Sequence, residues 1–278
     1  MVRVGFIDYF LDEWHANSYP KMLDEHSKGR YSVTLAYGMI DNPRGGMTNE
    51  QWSQTYDIPL AGSIEEVINN CDVIVVLSPD NPEMHEELCQ LPLKSGKRVY
   101  VDKTFTNDAA TAKRLFDLAE SNNTPCWTSS ALRFATELAA FDKENIAHIH
   151  TEGPGLFDNY SIHQIEPIVA LADSRPLRVI SIGTMQNSAL SIEFENGILA
   201  DMLQCNDYSF CTNVVNKDGS TVRVVTGSDY FGNFIDALIE FFDTGVVPVP
   251  HSQTISVMSI RAAGIKAMEK PFTIVECE

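Results

Sequence analysis

Four titratable side chains fall within eight residues just after the first apolar run: Asp8, Asp12, Glu13 and His15, with Trp14 among them. Carboxylates and an imidazole at this spacing can move protons near neutrality or contribute oxygen and nitrogen ligands to a divalent cation. Trp14 gives such a mouth an aromatic wall. A structural reading stands beside this one. Asp12 and Glu13 can be helix-start acids that favour the local dipole, with Trp14 as packing.

The elements that must position these residues follow from the apolar runs. Arg3–Asp8, Tyr31–Tyr37, Asp72–Ser78, Arg98–Asp102 and a weaker Pro125–Thr128 read as strands, with runs continuous rather than alternating, as parallel strands covered on both faces require. Met1–Ile7 is too short, and too soon interrupted by Asp8, for a secretory signal. Ser63-Ile64-Glu65-Glu66 is a capping box, one helix runs from near Pro82 to Gly96, and Asn107 opens the next. This alternation predicts a doubly wound, Rossmann-type parallel sheet over residues 1–130.

In such a domain the turn after the first strand carries G-x-G-x-x-G, so that backbone can approach a pyrophosphate resting on a helix N-terminus. Here the turn reads Asp8-Tyr9-Phe10-Leu11-Asp12-Glu13-Trp14-His15. No glycine remains, and three carboxylates stand where a dianion docks. Tyr37 and Gly38 lack the usual acid for a ribose hydroxyl, and Asp41 substitutes for it only if the loop folds back.

After residue 145 the pattern changes. Leu177–Gly183, Ala189–Glu195, Ile198–Gln204, Ser209–Asn216 and Thr221–Thr226 are β-rich, with hairpin signals at Asn196-Gly197 and Lys217-Asp218-Gly219. Helices near Tyr230–Phe242 and Ser252–Met268 follow. Residues 131–278 thus form an α+β domain with an open, mostly antiparallel sheet, whose last helices can pack back on the first domain.

A formal charge of −18 argues against nucleic acid and anionic membrane surfaces as partners, because both need a basic stripe. No apolar run reaches the ~18 residues of a membrane span. Six cysteines without a C-x-x-C pair point to reduced thiols in a cytoplasmic protein, not to a zinc ribbon or a disulfide framework.

Residues 72–103 carry a family resemblance. Asp72-Val73-Ile74-Val75-Val76-Leu77-Ser78-Pro79 leads into Asn81 and His85, and Ser95–Lys103 follows. This resembles the stretch of the glucose–fructose oxidoreductase / inositol dehydrogenase / MocA (Gfo/Idh/MocA) family that ends in Glu-Lys-Pro, replaced here by Asp102-Lys103-Thr104. Arg133-Phe134 fits after the fifth strand, Ile162–Glu166 resembles the family's D-x-G-x-H-x-x-D helix, and Phe231–Phe242 with Pro248–Ala263 resembles its closing helices.

The resemblance implies an oxidoreductase that uses NAD or NADP on a sugar, cyclitol or related polyol. Lys103 would polarise or protonate a substrate oxygen, His163 would be the acid/base, and Asn159 stands where the family has the aspartate that partners the histidine. Asp8, Tyr9, Phe10, Ser78, Pro79, His85 and Asp102 fall on the cofactor side; Trp14, His15, Arg133, Tyr160 and Glu166 fall on the substrate side. Structural readings accompany these: a surface cation for Lys103, an interface histidine for His163, a helix-start residue for His85, and a plain turn rather than a phosphate contact for Arg44-Gly45-Gly46. Two other functions share the fold: a cofactor-independent or metal-assisted carbohydrate isomerase, lyase or hydrolase, and a non-catalytic ligand sensor. The open second sheet predicts a homo-oligomer.

Overall fold

The computed structural model describes residues 1–278, and the continuous apolar runs of the first half become one parallel sheet. Its strands are Val2–Asp8 (β1), Tyr31–Gly38 (β2), Val73–Val76 (β3), Arg98–Val101 (β4) and Cys126–Trp127 (β5), in the order β2-β1-β3-β4-β5. Every residue of β3 is buried, which is why no polar alternation interrupts it. The order changes direction between β1 and β3, where open α/β sheets bind ligands beyond the carboxyl ends of their strands.

Between β1 and β2, helix α1 (Trp14–Ser27) ends at Lys28, whose left-handed backbone (φ 57°) lets its N–H reach the Asp24 and Glu25 carbonyls. Helix α2 (Asn49–Tyr56) opens with a full capping box, Thr48 with Gln51. At α3 (Ile64–Asn70), Ser63 Oγ accepts from Glu66 N at 3.2 Å, but the Glu66 carboxylate takes the Gly62 amide at 2.7 Å, so only half of the expected box forms. Gly5 lies against this helix, where a Cβ would overlap Val67 Cγ1. The single helix expected from Pro82 to Gly96 is not made. Pro92 cannot continue a helical ladder, and the chain instead makes short turns at Pro82–Met84, His85–Leu88 (α4) and Pro92–Lys94. Helix α5 is Ala109–Ser121.

The chain divides into two compact units, the first of them Met1–Thr106, Lys113–Thr128 and Phe234–Pro250. Its last segment packs aromatic rings on the sheet: Phe234 lies 5.4 Å from Tyr100 and 5.9 Å from Trp127, and Phe242 stacks on Tyr31 at 5.9 Å. Asp243 accepts hydrogen bonds from Tyr31 Oη at 2.7 Å and from Arg30 at 3.0 Å.

The second unit comprises Asn107–Ala112, Ser129–Asn233 and His251–Glu278. It contains Ile146–Gly153 (β6), Phe157–Tyr160 (α6), Ile162–Ala172 (α7), Pro176–Ser181 (β7), Ala189–Phe194 (β8), Leu199–Gln204 (β9), Cys211–Asn216 (β10) and Thr221–Val225 (β11). Helix α8 (Tyr230–Thr244) begins in this unit; α9 (His251–Glu269) and Ile274–Glu276 (β12) close it. The sheet order is β11-β10-β6-β9-β8-β7-β12, antiparallel except for the β6–β9 pair. Gly197 and Gly219 take the positive φ values that their hairpin turns demand, 85° and 84°. Helices α7 and α9 cover one face. On the other, His148 and His150 both bond to Asp201 between the two parallel strands.

Candidate functional site

At the carboxyl edge of the first sheet, the β1–α1 turn and the residues after β4 build one buried polar corner. Asp8 ends β1 and is 1 % exposed; Asp102, directly after β4, is also 1 % exposed. His15 stands between acids: its Nδ1 lies 2.9 Å from Glu13 Oε2 and its Nε2 lies 3.6 Å from Asp102 Oδ2. Tyr100 Oη donates to Asp102 Oδ1 at 2.9 Å, and Tyr19 Oη approaches the same oxygen at 3.5 Å. Trp14, half exposed, sets its ring edge-on to His15 at 5.0 Å. Burial, and then the charge of Glu13, push the Asp8 carboxyl well above its ordinary range. The direction follows from three carboxylates sharing one dry corner, where each negative charge disfavours the next. Burial and the Asp102 charge likewise raise the Tyr19 phenol. No group of three or more His, Cys, Asp or Glu side chains converges as a metal site.

Lys103 follows Asp102, 8 % exposed, and its peptide bond to Thr104 is cis. Ser78 adopts φ 78° and donates from Oγ to the Asn81 carbonyl at 3.1 Å, and Pro79 is buried beside it. His85 is fully buried. Its Nδ1 lies 2.8 Å from the Phe105 carbonyl, its Nε2 lies against the Leu77 carbonyl, and burial lowers its pKa. That arrangement braces two loops and presents no ring edge to a ligand.

The same turn tests whether a dinucleotide fits. Asp8 Oδ2 is buried without a hydrogen-bond partner, and Glu13, as the N-cap of α1, accepts from the His15 and Ala16 amides. Leu11 N donates to Asn49 Oδ1 at 3.3 Å. Phe10 and Leu11 are buried at 4 % and 0 % exposure. The donors that would hold a pyrophosphate are thus engaged, two by a carboxylate at a helix N-terminus. The chain's residues do not fit that group here. Asp41 is used to accept from Asn49 N at 2.8 Å, not placed as a ribose acid, and Arg44 pairs with Asp80 at 2.6 Å.

In the second unit His163 lies in the first turn of α7, its ring edge-on to Tyr160 at 5.4 Å and to Phe210 at 5.8 Å. Its Nδ1 is 2.7 Å from Ser130 Oγ, so a serine serves where the family uses an aspartate; Asn159 is exposed on α6. Ser130 is fixed in turn, since its Oγ accepts from Leu132 N at 3.2 Å and its amide faces Glu166 at 3.4 Å. Arg133 bonds to Glu166 at 2.9 Å and to Gln253, which donates to Asp173 at 2.7 Å. Burial raises the Glu166 carboxyl, against the opposing pull of Arg133. Arg133 and Glu166 therefore brace the turn that holds the histidine. Tyr19, Tyr100, Ser130 and Phe210 are site neighbours that sequence reasoning does not find. Ser130 and Phe210 meet His163 from far along the chain, and Tyr100, although inside the Ser95–Lys103 stretch, shows its role only through its bond to Asp102.

A family model described as an oxidoreductase family with an NAD-binding Rossmann fold, Gfo/Idh/MocA, matches residues 42–130, beginning downstream of the β1–α1 turn. An uncharacterised oxidoreductase of Escherichia coli K12, YhhX, is 39% identical over 64 residues, which span 23% of this chain and 19% of that protein. Among solved structures, a probable dehydrogenase from Thermotoga maritima superposes with a TM-score of 0.80 at 13% identity, over 99% of both chains. The apo scyllo-inositol dehydrogenase from Lactobacillus casei gives 0.78 at 14% identity, over 99% of this chain and 98% of its own. At such identities these two likenesses establish the fold alone. No helix is long and apolar enough to cross a membrane. The Gfo/Idh/MocA match is confined to residues 42–130, whereas the likeness of fold runs along the whole chain.

Proposed function

We propose that the chain is an oxidoreductase acting on a carbohydrate-like small molecule: a sugar, a cyclitol or a related polyol. The observation that carries this reading is the oxidoreductase match over residues 42–130, a stretch that includes Lys103. The Lys103 ammonium is suited to polarise or protonate a substrate oxygen, and the His163 imidazole, held by Ser130, to exchange the proton of a hydroxyl. Trp14, His15 and Tyr160 are the proposed substrate contacts. NAD and NADP are the redox partners that the resemblance implies, and no step is routed through them because the β1–α1 turn does not fit their pyrophosphate. The six thiols are all free, which supports a reducing, cytoplasmic setting. The open face of the second sheet is read as a homo-oligomer contact, to be measured by sedimentation.

The test is a panel of polyols and sugars with NAD+ or NADP+, followed by the absorbance of the reduced nicotinamide. Turnover that rises with nucleotide into the millimolar range without saturating is expected in the wild type, with falls of roughly 100-fold or more in Lys103→Met and His163→Asn. Turnover that survives both substitutions would end the reading. The filled amides favour a second reading, nucleotide-free proton transfer on the same substrates. Uptake of deuterium from solvent at a carbon beside a carbonyl, without nucleotide and dependent on Lys103, would select it.

A further inference from the structure

We infer that the phosphate cradle of the first unit is closed by the chain's own side chains, Glu13 above all, so that no dinucleotide seats its pyrophosphate on the β1–α1 turn. Three independent features converge on this. The first is hydrogen bonding: Glu13, at the N-terminus of α1, takes His15 N at 2.8 Å and also Ala16 N. Its carboxylate thus does what a phosphate oxygen does at such a turn. The second is volume, because Phe10 is buried inside the turn where a glycine-rich loop leaves room for a ligand.

The third is the segment after β2, which is laced onto the turn. Met39 N donates to the Asp8 carbonyl at 3.0 Å and Ile40 N to the Tyr9 carbonyl at 2.9 Å. Asp12 Oδ2 accepts from Met47 N at 2.8 Å and from Asn42 Nδ2 at 3.2 Å. A pyrophosphate would have to break the Glu13 cap and lift this segment, with Asp8 and Asp102 crowding the corner behind it.

The inference goes beyond the proposed reaction and is tested separately, by binding. Wild-type protein is titrated with NADH, NADPH and ADP-ribose, the last carrying the pyrophosphate without the nicotinamide. The readouts are Trp14-linked fluorescence and calorimetry. The expected result is no saturable binding tighter than a Kd of about 1 mM for any of the three. A Kd below about 100 µM for ADP-ribose, with amides 9–16 protected from hydrogen exchange by the ligand, overturns it. As the converse arm, Asp8→Gly/Phe10→Gly/Glu13→Gly reopens the turn and is expected to bind ADP-ribose at least tenfold more tightly than wild type. If that variant does not fold, the wild-type titration alone decides. Absence of binding with Lys103-dependent chemistry intact would uphold the inference and leave the proposed acid–base roles standing. Tight binding without activity would do the reverse.

Discussion

Replacing Glu166 puts a number on the brace behind His163. The Arg133–Glu166 pair spans 2.9 Å with side chains only 12% and 3% exposed. Glu166→Ala leaves the guanidinium buried without its carboxylate, a loss of about 3–5 kcal/mol. Glu166→Gln keeps an acceptor for Arg133 and costs about 1–2 kcal/mol. Against a total stability of roughly 5–15 kcal/mol, the alanine change is severe. Both ions are buried, so desolvation offsets much of their attraction. Arg133→Met/Glu166→Leu should therefore lose less than Glu166→Ala alone, with a coupling of about 1–3 kcal/mol in the double-mutant cycle. The sign with pH follows from the raised pKa: the folded state holds the proton longer, so this group favours folding at low pH. That contribution fades as pH rises from the ordinary carboxylate range through the folded pKa. Trp14, Trp52 and Trp127 all lie in the first unit, so fluorescence during urea unfolding reports that unit, and amide exchange along α7 reports the other. Equal costs for Glu166→Ala and Glu166→Gln, or additivity within about 0.5 kcal/mol across the cycle, would refute the argument.

Three other outcomes follow from the structure. Ser130→Ala should lower kcat by up to about 100-fold and move the pH–rate profile, with Ser130→Thr recovering most of both; a change confined to KM would count against positioning of His163. Asp8→Asn keeps the side chain's shape and removes a carboxyl that resists ionisation. Wild-type stability should fall relative to this variant as pH rises from the ordinary carboxylate range through the raised folded pKa, and parallel Tm–pH curves would show that Asp8 is ordinary. Gly5→Ala should cost about 1–3 kcal/mol by forcing α3 off β1, visible as a lower urea midpoint with an unchanged slope.

The parallel strands are legible because burial on both faces leaves runs such as Val73–Val76 without polar interruption. Strand β6 is not, since Ile146–Gly153 spends alternate positions on His148, His150 and Glu152 toward the open face. Helix α2 buries only Trp52 and so shows almost no apolar periodicity, although Thr48 and Gln51 mark its start. The overlong helix expected after Pro82 came from giving Gly96 more weight than Pro92. In the site, the acidic turn could be read directly, because its residues are consecutive. Both earlier readings of Asp12 and Glu13 touch the structure: Glu13 is a helix-start acid that also contacts His15, whereas Asp12 ties down the segment after β2. Ser130 could not be found, because its contact with His163 crosses 33 residues.

The first unit takes its third segment from Phe234–Pro250, so its aromatic layer cannot close until the chain up to Pro250 has left the ribosome. Until then Tyr31, Tyr100 and Trp127 lack the rings of Phe234, Phe241 and Phe242 that cover them. A chain cut at residue 130 would therefore be a sticky fragment rather than a miniature of the unit. During synthesis, the emerging first half carries this apolar layer uncovered, the condition in which partly folded chains aggregate.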